Sequence, residues 1–575
     1  MSNYKKHLTL VLCNRGVILV VVLVVITILS LSVLAYSRFM FSERRGVSQS
    51  LRQRQVRLLA ESGVEYVRYF LMNDEATITE YGGIYNNEGE FCGHIITDGS
   101  IAMTGLNAGL TIETKFANDP MNIGRFSVIV PKLSGDGYFL GDDFRYGLED
   151  ESSKLNLRWV VQLDAANPGM GRDILSQLPG ITEEIADAIL DWCDEDSEPR
   201  EYGAEDEYYA ALDPPYYTRN EIPDSIDELL LVKGITAKLL YGIDWNRNGI
   251  LDEGEPDEST MNEFEVNSGV LTLGLVSLLT LDSRESNRSS NGEAKININQ
   301  EDIEDLRTQL ESRLSDQKWV DYIISLREQS TAGTNNSSNS NNTGSNSAAA
   351  TTNRTNSATN TNTNSSSSGT IKSLLDLIQP STNTAQQSPS NNTANAAVPK
   401  ITSPFSNDPD EMAKYLPELY DNLTVSETPP IGRININHAP RPVLEVFLNQ
   451  KNLVESSNSI SELPDIIDGI ISSREPENNT MLENDKAYPF WIYTSGIVKN
   501  FELMKQFEPY FCTQGAVFRA NVIGRFDERS PVVRLEVWFD ASEAGKPAKV
   551  IRIRELTELG PGFKVESLGL NEYAQ

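Results

Sequence analysis

The chain has 575 residues, with 82 Asp and Glu against 49 Lys and Arg and a formal net charge of -33. That length allows several domains, and the acidity repels nucleic-acid phosphates over most of the surface, against the basic footprint of a DNA-binding protein. Four cysteines without CxxC spacing argue against thiol or metal chemistry; His7, His94 and His438 stand beside no nucleophile or metal cluster, which argues against a histidine-dependent enzyme.

The first predicted element is a helix. From Val17 to Ala35 no residue is charged, and only Thr27, Ser30 and Ser32 are polar. About twenty such residues cross a hydrocarbon core of roughly 30 Å, and a helix satisfies its own backbone there. The leader carries Lys5, Lys6 and Arg15, which favour the cytoplasmic side and put the bulk of the chain outside. The apolar run is too long for a secretory signal, and Tyr36-Ser37-Arg38-Phe39 offers no small-x-small cleavage site. A basic leader, then Gly16, then an unbroken apolar helix resembles the prepilin class, with cleavage between Gly16 and Val17; a plain membrane anchor is the other reading. Pilin-like proteins usually carry Glu as the fifth mature residue. Here that residue is Val21, which suits a filament position needing no carboxylate partner, such as the tip.

Residues 41–73 continue the helix: Val56, Leu59, Gly63, Val67, Phe70 and Leu71 recur at steps of three and four, and Arg44, Arg45, Arg52, Arg54 and Arg57 form a solvated face near anionic lipid. Short strands are predicted at Phe91–Ile96, Leu110–Phe116, Arg125–Pro131 and Lys154–Leu163. From Gly171 helices take over, as two around Pro179-Gly180 with Thr182 as cap, and a second copy at Ser225–Leu240. Lys154-Leu-Asn-Leu157, Lys295-Ile-Asn-Ile-Asn299 and Arg433-Ile-Asn-Ile-Asn437 form a longer repeat, each opening a helical unit; later helices are expected at Trp319–Arg327 and Leu463–Arg474. Residues 329–400 are Asn-, Ser- and Thr-rich and too polar to offset chain entropy, apart from a short helix at Ile371–Ile378. Strands at Ala516–Arg525, Val532–Asp540, with a bulge at Arg534-Leu535, and Ala548–Glu555 close the chain and are expected to complete the head's sheet.

The strongest motif is Asp244-Trp-Asn246-Arg-Asn248-Gly249-Ile250-Leu-Asp252-Glu-Gly-Glu255, which fits the twelve-residue calcium loop at every fixed position. Calcium takes six to eight hard oxygens; here Asp244, Asn246, Asn248, the carbonyl of Ile250, Asp252 and Glu255 would supply them, and Gly249 the sharp turn. Pro256 follows at once, so no EF-hand exit helix is expected; the loop should fix the seam between the helical insert and the rest. A second acidic cluster, Asp191, Asp194, Glu195, Asp196, Glu205 and Asp206, reads equally as another calcium site or a solvated loop, and more weakly as paired hydrolase carboxylates. The turn Leu178-Pro-Gly-Ile-Thr182 resembles the helix-hairpin-helix of DNA-binding proteins. It lacks a second hairpin glycine and is ringed by Glu183, Glu184, Asp187 and Asp191, so it reads as a packing unit rather than a phosphate cradle.

Ala186-Asp-Ala-Ile-Leu-Asp-Trp192, Asp196-Ser-Glu-Pro-Arg200, Gly203-Ala-Glu-Asp206, Tyr208-Tyr209, Leu212-Asp-Pro-Pro-Tyr216 and Ser225-Ile-Asp-Glu-Leu-Leu-Leu-Val-Lys-Gly234 together resemble the protein K (GspK) family of type II secretion minor pseudopilins, as do the Ile-Asn-Ile-Asn stretch before Ala439-Pro440 and the leader with Gly16. The resemblance implies an α+β fold: a transmembrane helix and a pilin-like helix and antiparallel-β head with a large inserted helical domain of SAM-like, helix-hairpin-helix-like units. The expected division is a leader at 1–16, helix at 17–75, head at 76–165 and 515–575, helical units at 166–328 and 401–514, and a linker at 329–400. It further implies a non-enzymatic subunit of the inner membrane, with its N-terminus cytoplasmic and its bulk periplasmic. Such a subunit is processed and N-methylated by a prepilin peptidase and binds calcium. Its partners would be the I and J minor pseudopilins, the major pseudopilin and the secretion platform, with no nucleic acid. The rival reading is a membrane-anchored DNA-binding or DNA-uptake protein.

Overall fold

The computed structural model describes residues 3–97, 100–101, 123–133, 140–250, 252, 255, 274–335, 370–378, 402–428, 430–448, 463–474, 486–526, 530–543, 545–564 and 568–569. The chain opens with one helix, α1 (Asn3–Phe70), of 68 residues. At 1.5 Å per residue it is about 100 Å long. Its first part is apolar and exposed from Ile18 to Leu34, and it is long and apolar enough to cross a membrane. Its last four turns are different: Val56, Ala60, Val64, Val67 and Phe70 are buried, the helical stripe expected from the sequence.

That stripe lies on an antiparallel sheet. In chain order the head supplies β1 (His94–Thr97), β2 (Ser100–Ile101), β3 (Gly124–Leu133), β4 (Leu140–Tyr146) and β5 (Glu149–Asp150). The helical region contributes three pairs of two-residue strands: β6 (Leu155–Asn156) with β7 (Leu279–Thr280), β8 (Ile296–Asn297) with β9 (Leu423–Thr424), and β10 (Ile434–Asn435) with β11 (Phe511–Cys512). The chain then returns to the head as β12 (Val517–Arg525), β13 (Val533–Asp540) and β14 (Lys549–Glu555). The sheet runs β14-β13-β12-β3-β1-β2, with β4 beside β3 and β5 beside β12. Since β12 pairs antiparallel with β3, the helical region is an insertion within one α+β head, as expected.

Val128, Val522, Leu535, Val537 and Phe539 form the sheet's apolar face against α1. The approach is close: a Cβ on Gly63 would lie 2.7 Å from Val522 Cγ1, and one on Gly524 would lie 2.5 Å from the Val56 carbonyl. The bulge sits between Trp538 and Phe539, not at Arg534-Leu535. Predicted strand Lys154–Leu163 is mostly helix: after β6 the Asn156 side chain accepts the Trp159 N–H at 3.2 Å and starts the helix Leu157–Ala166. Predicted strand Leu110–Phe116 lies outside the described residues.

The insertion has its own apolar core, and strand pairing divides it in three. Each repeat opens with the Leu-Asn or Ile-Asn strand and closes with a strand that pairs parallel to it, giving units at 155–280, 296–424 and 434–512. The second unit takes residues from both sides of 329–400. Leu374, Leu375 and Leu377, in a short 3-10 turn, are buried in its core beside Leu306, Leu310 and Leu416. The expected division at 329–400 is therefore replaced by one in which that tract interrupts a unit. The physical reason is that three leucines in a polar tract are enough to dock it.

Candidate cation sites along the seam

Alternation along β12, β13 and β14 gives the sheet a second face. Arg519, Asn521, Arg534, Glu536 and Arg554 point away from α1, and the insertion covers them. Arg519 Nη2 donates to Glu149 Oε2 at 2.6 Å, Arg554 Nε donates to Glu536 Oε2 at 2.8 Å, and Arg554 also pairs with Asp227 of the insertion. Lys154, itself buried, lies 2.7 Å from Glu151 and 3.2 Å from Glu149. Burial alone would raise the Glu149 carboxyl, but Arg519 and Lys154 hold it at about 2.

The Asp244 loop sits on this seam. The helix Ala237–Tyr241 ends at Gly242, and the loop then folds on its own side chains. Asp244 accepts the N–H of Gly249 at 2.7 Å and of Asn248 at 3.1 Å. Asn246 and Asn248 each hold the N–H two residues on, at 2.9 and 2.7 Å. Asp252 Oδ2 accepts from the amides of Asn246 and Asn248, both at 2.7 Å. Glu255 reaches back to the N–H groups of Trp245 and Asp252, at 2.9 and 3.0 Å. Gly249 takes a φ of 76° and packs on Pro131 of β3, where a Cβ would come within 2.5 Å. The Ile250 side chain enters a small apolar cluster with Ile129, Ile523 and Phe563.

All the expected side-chain ligands are thus in one loop. Burial pushes the Asp244 carboxyl up to about 6, Glu255 adds to the rise, and the two N–H groups and Arg534 oppose it. A partly buried, oxygen-only donor set that strains against its own negative charge suits a hard divalent cation such as calcium. Residues 256–273, where an exit helix would begin, lie outside the described residues.

The second acidic cluster divides. Asp191 is fully buried and structural: it lies 2.7 Å from Arg200 Nη1 and accepts the Ala204 N–H at 2.8 Å. Asp206 Oδ1 accepts the N–H and O–H of Thr218, at 2.9 and 2.7 Å. Those bonds fix a loop. Asp194, Asp196 and Glu205 instead gather, with ligand oxygens within 4.8 Å of one another, while Glu195 stays apart. Glu205 is buried, neither of its oxygens has a well-formed hydrogen bond, and its carboxyl rises to about 7 through burial and then the nearby acids, tempered by Thr218. These three carboxylates also suit a hard cation.

The hairpin motifs pack on each other. Gly234 of the second copy lies so close to Ile185 of the first that a Cβ would come within 2.9 Å. Arg172 lies beside the first turn and donates two bonds to Asp187, both 2.6 Å. That pairing spends the cation a phosphate would need. Gly16 and Val17 lie within α1, and Val21 is exposed on it.

Arg534, Gly562 and Pro131 were not foreseen at the loop. Their contacts span more than a hundred residues of sequence, and the one available signal was Arg534 itself, a cation inside an apolar strand.

The description "Type II secretion system (T2SS), protein K" matches residues 153–243. The chain is 49% identical over 57 residues to type II secretion system protein K of Aeromonas hydrophila, covering 10% of this chain and 17% of that one. It is 30% identical over 109 residues to the putative type II secretion system protein K of Escherichia coli K12 (17% and 33%), and 35% identical over 101 residues to the Pseudomonas aeruginosa protein K (16% and 30%). The matched segments thus span a third or less of these relatives. A chain in the GspK-GspI-GspJ complex of enterotoxigenic Escherichia coli aligns over 75% of this chain and 80% of its own, at 10% identity and a TM-score of 0.27.

Proposed function

The chain belongs to the type II secretion system protein K family, and from that premise we propose that it is a minor pseudopilin that starts and caps the tip of a secretion pseudopilus. The observation carrying this reading is the match at 153–243 inside a head that hangs from an exposed apolar helix. Such a helix is built to pack beside others in lipid, and a head enlarged by three helical units is a poor platform for another subunit above it. Val21 cannot offer the carboxylate that would neutralise a neighbour's N-terminal amine, which also favours the tip.

On this reading a prepilin peptidase cuts between Gly16 and Val17 and methylates the new terminus. The chain then joins I- and J-type minor pseudopilins, the major pseudopilin and the secretion platform in the inner membrane, with its bulk outside the cytoplasm. Flank charge does not fix that orientation. Arg38, Arg44 and Arg45 follow the apolar run as closely as Lys5, Lys6 and Arg15 precede it, so it rests on family membership. Calcium is held by Asp244, Asn246, Asn248, the Ile250 carbonyl, Asp252 and Glu255, where it ties the insertion to the head, and the protein performs no catalysis.

Intact-mass measurement of the protein from its native membrane tests the core of this. The expected species begins at methylated Val17; a chain beginning at Met1, or cut beyond Ala35, overturns the pseudopilin reading. For the cation, the expected result is a calcium-dependent rise in melting temperature that Asp244→Asn reduces.

A further inference from the structure

The loop that would hold calcium belongs to the insertion, yet its backbone is gripped from the head. Arg534, near the start of β13, is fully buried. Its Nη1 donates to the carbonyl of Asn246 at 2.8 Å, its Nη2 donates to the carbonyl of Arg247, and its Nε donates to Asn521 Oδ1 of β12 at 3.0 Å. All three acceptors are neutral. Burial lowers the Arg534 pKa to about 10, with Glu536 and Asp244 opposing the fall and Arg554 and Arg247 adding to it. A buried cation committed to neutral carbonyls is costly, so its place needs a reason.

The two carbonyls lie between the first and fifth ligand positions of the loop. Arg247, between the Asn246 and Asn248 ligands, has a φ of 55°, which a side chain other than glycine rarely adopts. The guanidinium therefore fixes the strained turn that spaces Asp244, Asn246 and Asn248. The same grip is closed from the other side. The Asn248 amide donates to the Gly562 carbonyl at 2.5 Å, and Gly562 has no Cβ because one would lie 2.4 Å from Arg534 Nη1.

We propose that Arg534 is the positioning residue of the cation loop: it holds the backbone of Asn246 and Arg247 in the binding shape, so that the affinity of the insertion's loop for a divalent cation is set by the head's sheet. This rests on the assignment of the Asp244 loop as a cation site. By linkage, cation binding tightens the hold of β13 on the insertion by the same factor. A fixed positive charge near a bound cation repels it, but a rigid guanidinium pointing at carbonyls saves the entropy of ordering the turn, and the second effect dominates here.

The test uses the full chain in detergent and terbium as the probe. Trp245 is exposed within the loop and can sensitise terbium luminescence. Trp192, next to the other acidic cluster, can do the same, so the loop's signal is the part that Trp245→Phe abolishes. If the wild type gives no Trp245-dependent signal, the cation assignment itself fails. With that signal present, Arg534→Met should raise the half-saturating terbium concentration about tenfold and Arg534→Lys by a smaller factor. Leu375→Ala, which weakens packing in another unit, should leave it unchanged. If Arg534→Met does not fold, Asn521→Leu keeps the guanidinium but frees its Nε, and about a threefold rise is expected. Unchanged half-saturation in folded Arg534→Met, or in Asn521→Leu where that variant stands in, overturns the proposal and leaves the cation site standing.

Discussion

Glu149 shows what one residue does at the seam. Its carboxylate faces Arg519 and Lys154, and its folded pKa of about 2 lies below the ordinary value of 4.5. A group depressed on folding adds stability that is complete above the unfolded value and is lost as pH falls through the folded one. The contribution should therefore be present above pH 4.5 and gone near pH 2. Thermal unfolding followed from pH 6 to pH 2 should show a smaller fall in melting temperature for Glu149→Gln than for the wild type; parallel curves would remove Glu149 from the acid response. Gly63 is a second such position. A Cβ there meets Val522 and the ring of Phe126, so Gly63→Ala should cost about 1–3 kcal/mol in denaturant titration.

At the scale of elements, the turn Leu374–Leu377 decides how the middle unit is built. Leu375 is wholly buried although the tract at 329–400 in which it lies is mostly polar. Leu375→Ala should cost about 2–5 kcal/mol in chemical denaturation, as for a core leucine, and an effect under about 0.5 kcal/mol would detach that turn from the core. The elements that the sequence made legible were those with a strong period. The stripe Val56, Val67, Phe70 of α1 and the alternation Leu535, Val537, Phe539 of β13 both lie where the pattern puts them, with Val533 rather than Val532 continuing the apolar face. What the sequence hid was what covers the other face. Arg519, Arg534, Glu536 and Arg554 alternate as solvent-facing residues do, yet they are buried or half-buried, because each finds an opposite charge or a carbonyl, Arg519 and Glu536 within the head, Arg534 and Arg554 also on the insertion. That the Asp244 loop folds on its own side chains was legible because those groups are local. Its anchor in β13 was not, because nothing local links Asn246 to Arg534. Lys154–Leu163 misled because its β-branched residues outweighed Asn156 as a helix start.

For the whole molecule, the seam couples two bodies of different character: a head whose apolar core lies against α1, and an insertion with its own core, joined by ion pairs such as Arg554–Asp227 and by the small apolar cluster around Ile250. Ion pairs at a partly wet interface weaken with salt, while apolar cores do not. Raising sodium chloride from 0.05 to about 0.5 M should speed hydrogen exchange at the β13 and Asp227 contacts relative to the β3 and β12 contacts with α1. A uniform change across the chain would count against a separable seam. The residues that match the family, 153–243, fall almost wholly in the first helical unit.

The three short parallel pairs carry one more consequence. In each, the point where the chain goes in lies beside the point where it comes out. A bead strung in this way can be cut out and the thread retied, at the cost of what it shares with the third bead: Tyr420 against Phe490, and Asp376 2.9 Å from Lys505. Joining residue 294 to residue 426 through a brief Gly-Ser bridge should therefore give a shorter protein that still folds, with a lower melting temperature because part of the third bead's apolar surface is bared.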